Sequence, residues 1–253
     1  VSDRAPLRWL GTVVSFAVFG AGGLVLGCLV FPLLHLAPLP FVRRAGLCRR
    51  LVSLGFRSFI ELMRWLGVLS YEFGATERLG KPGQLIIANH PSLIDVVFLI
   101  GFSISPCCVV KAALWRNPFT RFAVSGAGYI PNAPTDQMID GARRALSDGL
   151  AVIMFPEGTR STPGQPLHFH RGTAVVALSS ARALTPVSIR VEPITLTKGS
   201  PWYRIPMRRP HFSLVVGDDI ELETFRQSGS IPVAGRALTR HLELLFEETT
   251  MRS

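Results

Sequence analysis

Apolar and charged positions are segregated along the 253-residue chain. From Trp9 to Val42 no Asp, Glu, Lys or Arg occurs, and the run WLGTVVSFAVFGAGGLVLGCLVF exceeds the roughly 20 residues a helix needs to cross a bilayer. This pattern predicts an N-terminal membrane anchor over residues 1–42. Pro32, Pro38 and Pro40 interrupt it, which leaves two forms open: one span ending near Phe31 followed by an interfacial turn, or a re-entrant hairpin. A cleaved signal peptide is the competing explanation, and no clear A-x-A site follows the apolar core.

The next stretch, residues 43–75, has a helical period. Arg43, Arg50, Arg57 and Arg64 recur every seven residues and so share a helix face, thickened by Arg44 and Arg49. Leu47, Leu51, Leu54, Leu62, Trp65 and Leu69 form the other side. The pattern is that of a basic amphipathic helix on anionic headgroups, or else a solvated face on a helix that packs into a core. Six arginines against the single Glu61, straight after an apolar run, place this side in the cytoplasm by the positive-inside rule. The expected location is the inner, cytoplasmic membrane.

From about Gln84 the pattern alternates between short β-rich and helical segments. QLIIAN, CCVVK, YIPN, LAVIMF, PVSIRVEPITLT and FSLVVG read as strands. SLIDVVFLIGF, AALWRNPFTRFAVSG, TDQMIDGARRALSDG, GTAVVALSSARAL and AGRALTRHLELLFEETT read as helices, the second weakened by Pro118. Repeated βα units predict an α/β catalytic domain over residues 76–253, with a largely parallel or mixed sheet flanked by helices. Ligands in such sheets gather beyond the carboxyl ends of the strands, where ANHPSLID and FPEGTRS both fall.

Composition sharpens this picture. Residues are 48% apolar, enough for a sizeable core, and the formal charge of +10 calls for an anionic partner. The arginine stripe beside an apolar anchor favours membrane lipid over nucleic acid, since no nucleic-acid recognition signature accompanies the charge. Cys28, Cys48, Cys107 and Cys108 form no CxxC pair and read as reduced thiols. His168 and His170 are two metal-type ligands without a third, and are better placed as a loop rim around the site than as a metal centre. The absence of GxSxG and GxxxxGK[ST] argues against a serine hydrolase elbow and a P-loop.

In ANHPSLID, Ser92 and Asp95 are spaced like a capping box, so Asp95 alone could be structural. His90 lies just outside the same helix start, and Pro91 enforces an extended approach that can fold the imidazole back over the first turn. A carboxylate beside a neutral imidazole fixes its tautomer and raises its basicity. On the residues alone, a proton-handling pair and a helix start are equally compatible. FPEGTRS adds Glu157 and Arg160 across a glycine turn at the same sheet edge, either as an anion clamp or as an ion pair stabilising the turn.

These stretches together resemble the glycerolipid acyltransferase family, the lysophosphatidic acid acyltransferase-like enzymes. NHPSLID is similar to its HxxxxD block and FPEGTRS to its third block, with weaker likenesses in GYIPN from Gly128 and TPVSI around Pro186. The similarity runs from about Leu85 to Thr197. It implies that His90 takes the proton from an acceptor hydroxyl, with Asp95 orienting the imidazole. The alkoxide would then attack the thioester carbonyl of acyl-carrier protein or acyl-CoA, the co-substrate, with no other cofactor. By motif position Glu157, Gly158, Thr159 and Arg160 would shape the acceptor site, with Arg160 on the anionic headgroup. Lys111 and Arg171 are further cationic candidates. Backbone amides near Ser92 are the natural oxyanion donors.

One departure bears on the acceptor. The family's second block commonly carries an arginine, whereas this chain has no basic residue from Gly128 to Ala142. The implied acceptor is a lysophospholipid-like molecule, 1-acyl-glycerol-3-phosphate or a related lipid. A non-phosphate or specialised lipid acceptor stays open, as does a catalytically silent lipid-binding protein of the same fold.

Overall fold

A computed structural model describes residues 5–162 and 164–252. The first helix, α1 (Ala5–Val25), runs through a π-helical turn at Leu26–Val30 into α2 (Phe31–Leu36). In that turn the Phe31 amide bonds back to the Leu26 carbonyl, five residues away. The wider turn lets the helix continue past Pro32, which has no N–H to donate, so Ala5–Leu36 is continuous where the proline pattern predicts a break. Pro38 and Pro40 instead mark the reversal into α3 (Phe41–Trp65).

α3 runs back antiparallel along α1. Phe59 contacts Phe16 and Phe19 at ring-centroid distances of 5.4 and 4.4 Å. Toward the rest of the molecule α3 buries Cys48, Val52, Phe59, Ile60 and Met63. The four heptad-spaced arginines all stay exposed, and Leu47, Leu54 and Trp65 are exposed with them. Arg49 is buried, and its Nη1 donates to the Ala127 carbonyl at 3.0 Å. The helical stretch ends at Trp65. Ser70–Phe73, inside the segment read as amphipathic helix, forms the edge strand β1.

The expected α/β architecture is present. Strands β1 (Ser70–Phe73), β2 (Gln84–Ala88), β3 (Cys107–Val110), β4 (Ile130–Pro131), β5 (Val152–Met154), β6 (Ala183–Glu192) and β7 (His211–Val216) form one mixed sheet in the order β1-β7-β6-β2-β5-β3-β4. The run from β6 to β4 is parallel, β7 is antiparallel to β6, and β1 is parallel to β7. β2 sits between β6 and β5 with all five residues buried, which accounts for its unbroken apolar reading. Flanking helices are α4 (Asp95–Phe102), α5 (Arg121–Gly126), α6 (Thr135–Ser147), α7 (Arg171–Ser180), α8 (Leu222–Arg226) and α9 (Ile231–Arg252).

Three predicted helices lose three residues or more against the periodicity. α4 starts at Asp95 rather than Ser92. The stretch 112–126 splits into a 3-10 turn and α5, separated by Arg116–Thr120 around Pro118. α7 stops at Ser180 because Ala181 adopts extended backbone, and Ala183–Leu184 already belong to β6.

α3 and α4 cross closely at Gly101, where an added Cβ would lie 2.9 Å from the Arg57 backbone nitrogen. Backbone cannot yield there as a flexible side chain would. Gly101→Ala is therefore expected to destabilise the fold by about 1–3 kcal/mol, read as a lower midpoint in denaturant unfolding of the detergent-solubilised chain.

Candidate active site

The β2–β5 pairing sets the site. Leu85 lies opposite Val152 and Ile87 opposite Met154. Carried past both strand ends, the same offset places His90 against Glu157, and the His90 amide donates to Glu157 Oε1 at 2.8 Å. On the other side of β2, Asn89 extends the ladder to β6 through its side chain. Its Nδ2 donates to the Ile189 carbonyl at 2.8 Å, and its Oδ1 accepts from the Ile189 amide at 2.7 Å. The sheet is satisfied on both sides while the main chain turns away at His90.

After Pro91 the chain doubles back. Asp95 Oδ2 accepts both the Ser92 amide at 2.6 Å and His90 Nδ1 at 2.9 Å. With the carboxylate ionised, Nδ1 carries the proton and Nε2 is the free lone pair. Phe155 lies against the imidazole, ring centroids 4.3 Å apart and nearly parallel, so the ring plane is held from two directions. The Asp95 side chain has no solvent exposure, whereas that of His90 keeps 17%. Burial raises the Asp95 pKa above the ordinary carboxylate value. The hydrogen bond and charge of His90, the Ser92 amide and the charge of Arg160 oppose that rise.

Half of the capping box expected at Ser92 forms. Asp95 accepts from the Ser92 amide, as the box requires, whereas the Ser92 hydroxyl is buried without a hydrogen-bond partner and does not reciprocate. The amides near Ser92 are committed as well: that of Ser92 to Asp95, and that of Leu93 to the Leu196 carbonyl at 3.0 Å. Neither is open to an oxyanion.

Glu157 ties the turn together. Its Oε1 also accepts from Ser161 Oγ at 2.8 Å, and the Ser161 amide donates to the His90 carbonyl at 2.7 Å. Burial raises the Glu157 pKa, countered by its hydrogen bonds to Ser161 and to the His90 amide. Gly158 has φ +65°, and a Cβ there would sit 3.0 Å from the His170 ring, so both conformation and space require glycine. This also puts His170 at the rim of the turn. Arg160 makes no ion pair with Glu157. Its Nη1 donates to the carbonyls of Leu196 and Thr197 at 2.9 and 2.8 Å, which leaves the rest of the fork for a ligand.

His90, Asp95, Glu157, Gly158 and Arg160 thus come together at one sheet edge, with Thr159 exposed beside them. Lys111 follows the end of β3 and Arg171 opens α7, both exposed. Among the described residues neither bonds to the His90 group. Sequence reasoning missed Asn89, Phe155 and Ser161, which lie in or next to the quoted motifs, and Leu196, for which no local signal exists.

Comparison with known proteins gives this arrangement a class. Residues 71–190 match the family model described as Acyltransferase. The 1-acyl-sn-glycerol-3-phosphate acyltransferase of Pseudomonas aeruginosa is 29% identical over 191 residues, 73% of this chain and 72% of that protein. That of Saccharomyces cerevisiae is 30% identical over 143 residues, 53% of this chain and 47% of that protein. In three dimensions the chain resembles the 1-acyl-sn-glycerophosphate acyltransferase PlsC of Thermotoga maritima, with TM-score 0.72 and 20% identity over 97% of this chain and 96% of that one, a likeness of fold. The molecule is an acyltransferase. Within that class the chain is similar to the 1-acyl-sn-glycerol-3-phosphate acyltransferases.

Because burial makes Asp95 bind its proton more tightly in the folded than in the unfolded chain, stability falls as pH rises from the unfolded carboxyl value through the raised folded one. Above both values the buried charge remains as a constant cost. Asp95→Asn keeps an acceptor for Ser92 and removes that charge. The variant is expected to melt no lower than the parent at pH 7 and to show a smaller decline in melting temperature above the ordinary carboxyl range, Glu157 keeping its own share, measured by thermal scans from pH 4 to 8.

Proposed function

We propose that the chain moves a fatty acyl group from a thioester, acyl-carrier protein or acyl-CoA, to the free hydroxyl of a lysophospholipid-like acceptor at a membrane surface. The observation that carries this reading is the His90 Nδ1 to Asp95 Oδ2 bond of 2.9 Å on a turn rigidly tied to Glu157. It commits one ring nitrogen to the carboxylate and leaves Nε2 as the base. In this mechanism Nε2 takes the acceptor hydroxyl proton as the alkoxide oxygen bonds to the thioester carbonyl carbon. The tetrahedral intermediate collapses with cleavage of the C–S bond. The imidazolium then returns its proton to the departing thiolate, giving ester and thiol and restoring neutral His90. No acyl-enzyme is needed.

The acceptor's anionic headgroup is assigned to Arg160, whose Nη1 is anchored to two carbonyls and whose remaining donors are pre-oriented. The names of the relatives favour 1-acylglycerol 3-phosphate as that acceptor. A second reading, a lysolipid with another headgroup, draws on the lack of any basic residue from Gly128 to Ala142. For the membrane, the support is the continuous apolar helix Ala5–Leu36, and for a cytoplasmic catalytic domain it is the exposed arginines of α3 under the positive-inside rule.

His90→Ala is expected to lower transfer from a radiolabelled acyl thioester by about 10²-fold or more while membrane association persists, since general-base assistance is worth about 10²–10⁴-fold. Unchanged turnover would reject the mechanism. For Arg160→Gln the KM for lysophosphatidate should rise about 10- to 100-fold, with a smaller change for a lysolipid lacking the phosphomonoester. Equal effects on both acceptors would favour the second reading.

A further inference from the structure

The β6–β7 connection, residues 193–210, carries Lys198, Arg204, Arg208 and Arg209 and no Asp or Glu. Interleaved with these cations, Tyr203 and Met207 are 54% and 82% exposed and Trp202 is 39% exposed. All four cations are exposed, Arg209 while donating to the Leu69 carbonyl, and exposed cations among exposed aromatic and thioether side chains suit the headgroup layer of a bilayer. The loop is also built against the apolar N-terminal helix. Arg8 of α1 donates to the carbonyls of Pro206 and Met207 at 2.9 and 2.7 Å, and Trp202 stacks on Phe16 at 4.9 Å. The loop thus lies beside a helix that itself exposes Leu7, Leu10 and Val14.

The inner side of the same loop reaches the reacting groups. Leu196 is buried and held at φ +55°, a conformation unusual for leucine that persists only where the surroundings enforce it. In that position its carbonyl accepts both the Leu93 amide, from the turn between His90 and Asp95, and Nη1 of Arg160. The Thr197 carbonyl adds a second bond to Arg160. One loop thus faces outward with aromatics and cations and inward with the carbonyls that hold the catalytic turn and the headgroup arginine.

We propose that residues 193–210 form a second membrane contact, docking on an anionic bilayer surface beside α1 and thereby holding Arg160 at headgroup level to receive a bilayer-resident acceptor. The bilayer is the favoured partner because the loop pairs four cations with no acid and lies next to the apolar helix. The role given to Arg160 rests on the acyltransfer reading above; docking does not.

The test uses the full chain in vesicles of phosphatidylcholine and phosphatidylglycerol. In a Cys28→Ser background, which removes the exposed thiol, a spin label is placed at Met207→Cys or, as control beyond the opposite end of β7, at Asp218→Cys. The expected result is that the Met207 label is shielded from an aqueous paramagnetic chelate at least about fivefold more than the Asp218 label, and that Arg204→Glu with Arg208→Glu abolishes this difference. Equal accessibility of the two labels overturns docking. In turnover, Tyr203→Glu with Met207→Glu should raise KM at least about fivefold for a lysolipid embedded in the vesicles and leave a short-chain acceptor, monomeric in water, unaffected. Equal losses on both acceptors would mean a merely structural loop and overturn the proposal. Should the parent chain form no ester with either acceptor, the acyltransfer reading falls, and the labels alone still decide whether the loop docks.

Discussion

Asp95 is a carboxylate with no contact with water, and one of its oxygens takes two hydrogen bonds, from the His90 ring and from the Ser92 amide. Removing a charge from water is costly unless its surroundings replace the lost solvation. The rest of the site can be understood as that replacement. The imidazole and the amide come from the same six-residue turn, and Arg160 adds its field from the neighbouring one. The turn keeps its shape because Glu157, itself buried, holds the His90 amide, while Asn89 holds β6. Moving any of these would leave a buried charge short of partners. The geometry of His90 thus follows from the demands of the acid behind it.

How much of this was legible depended on distance along the chain. The strands that line the site are short runs of fully buried apolar residues, and a buried parallel sheet leaves that mark in sequence. His90, Asp95, Glu157 and Arg160 were visible because each pair sits within a few residues on a recognisable turn. The bond from the His90 amide to Glu157 was not, since it depends on the register of two strands 67 positions apart. Leu196 was invisible for the same reason, and because its carbonyl rather than its side chain does the work. Of the capping box expected at Ser92 only the acid's half forms: Asp95 takes the Ser92 amide, while the hydroxyl is left inside without a partner. β1 escaped notice as four residues with a charge at a sheet edge, where neither burial nor periodicity leaves a strong signal.

The N-terminal third shows a different limit. Heptad spacing correctly grouped four arginines on an exposed face of α3. Yet Leu47, Leu54 and Trp65 share that exposure, while the inward face is built from Cys48, Val52, Phe59, Ile60 and Met63. A helix with usable apolar residues on two sides can satisfy a core and a second apolar environment together, and periodicity alone cannot rank the two. Proline likewise predicted a break that the π-helical turn at Leu26–Val30 absorbs, moving the reversal to Pro38 and Pro40.

That turn brings Gly27 so near the Phe119 carbonyl that a Cβ would lie 2.2 Å from it. Contact this close leaves no slack between the long helix and the region following β3. A reaction centre on a pliant stalk would sample many heights above a lipid sheet, as a buoy does on its chain. Under the function proposed above, that contact ties the height of His90 to the depth at which the helix settles in lipid. On the same reading, acceptors presenting their hydroxyl at that level would be selected by geometry before any chemistry begins.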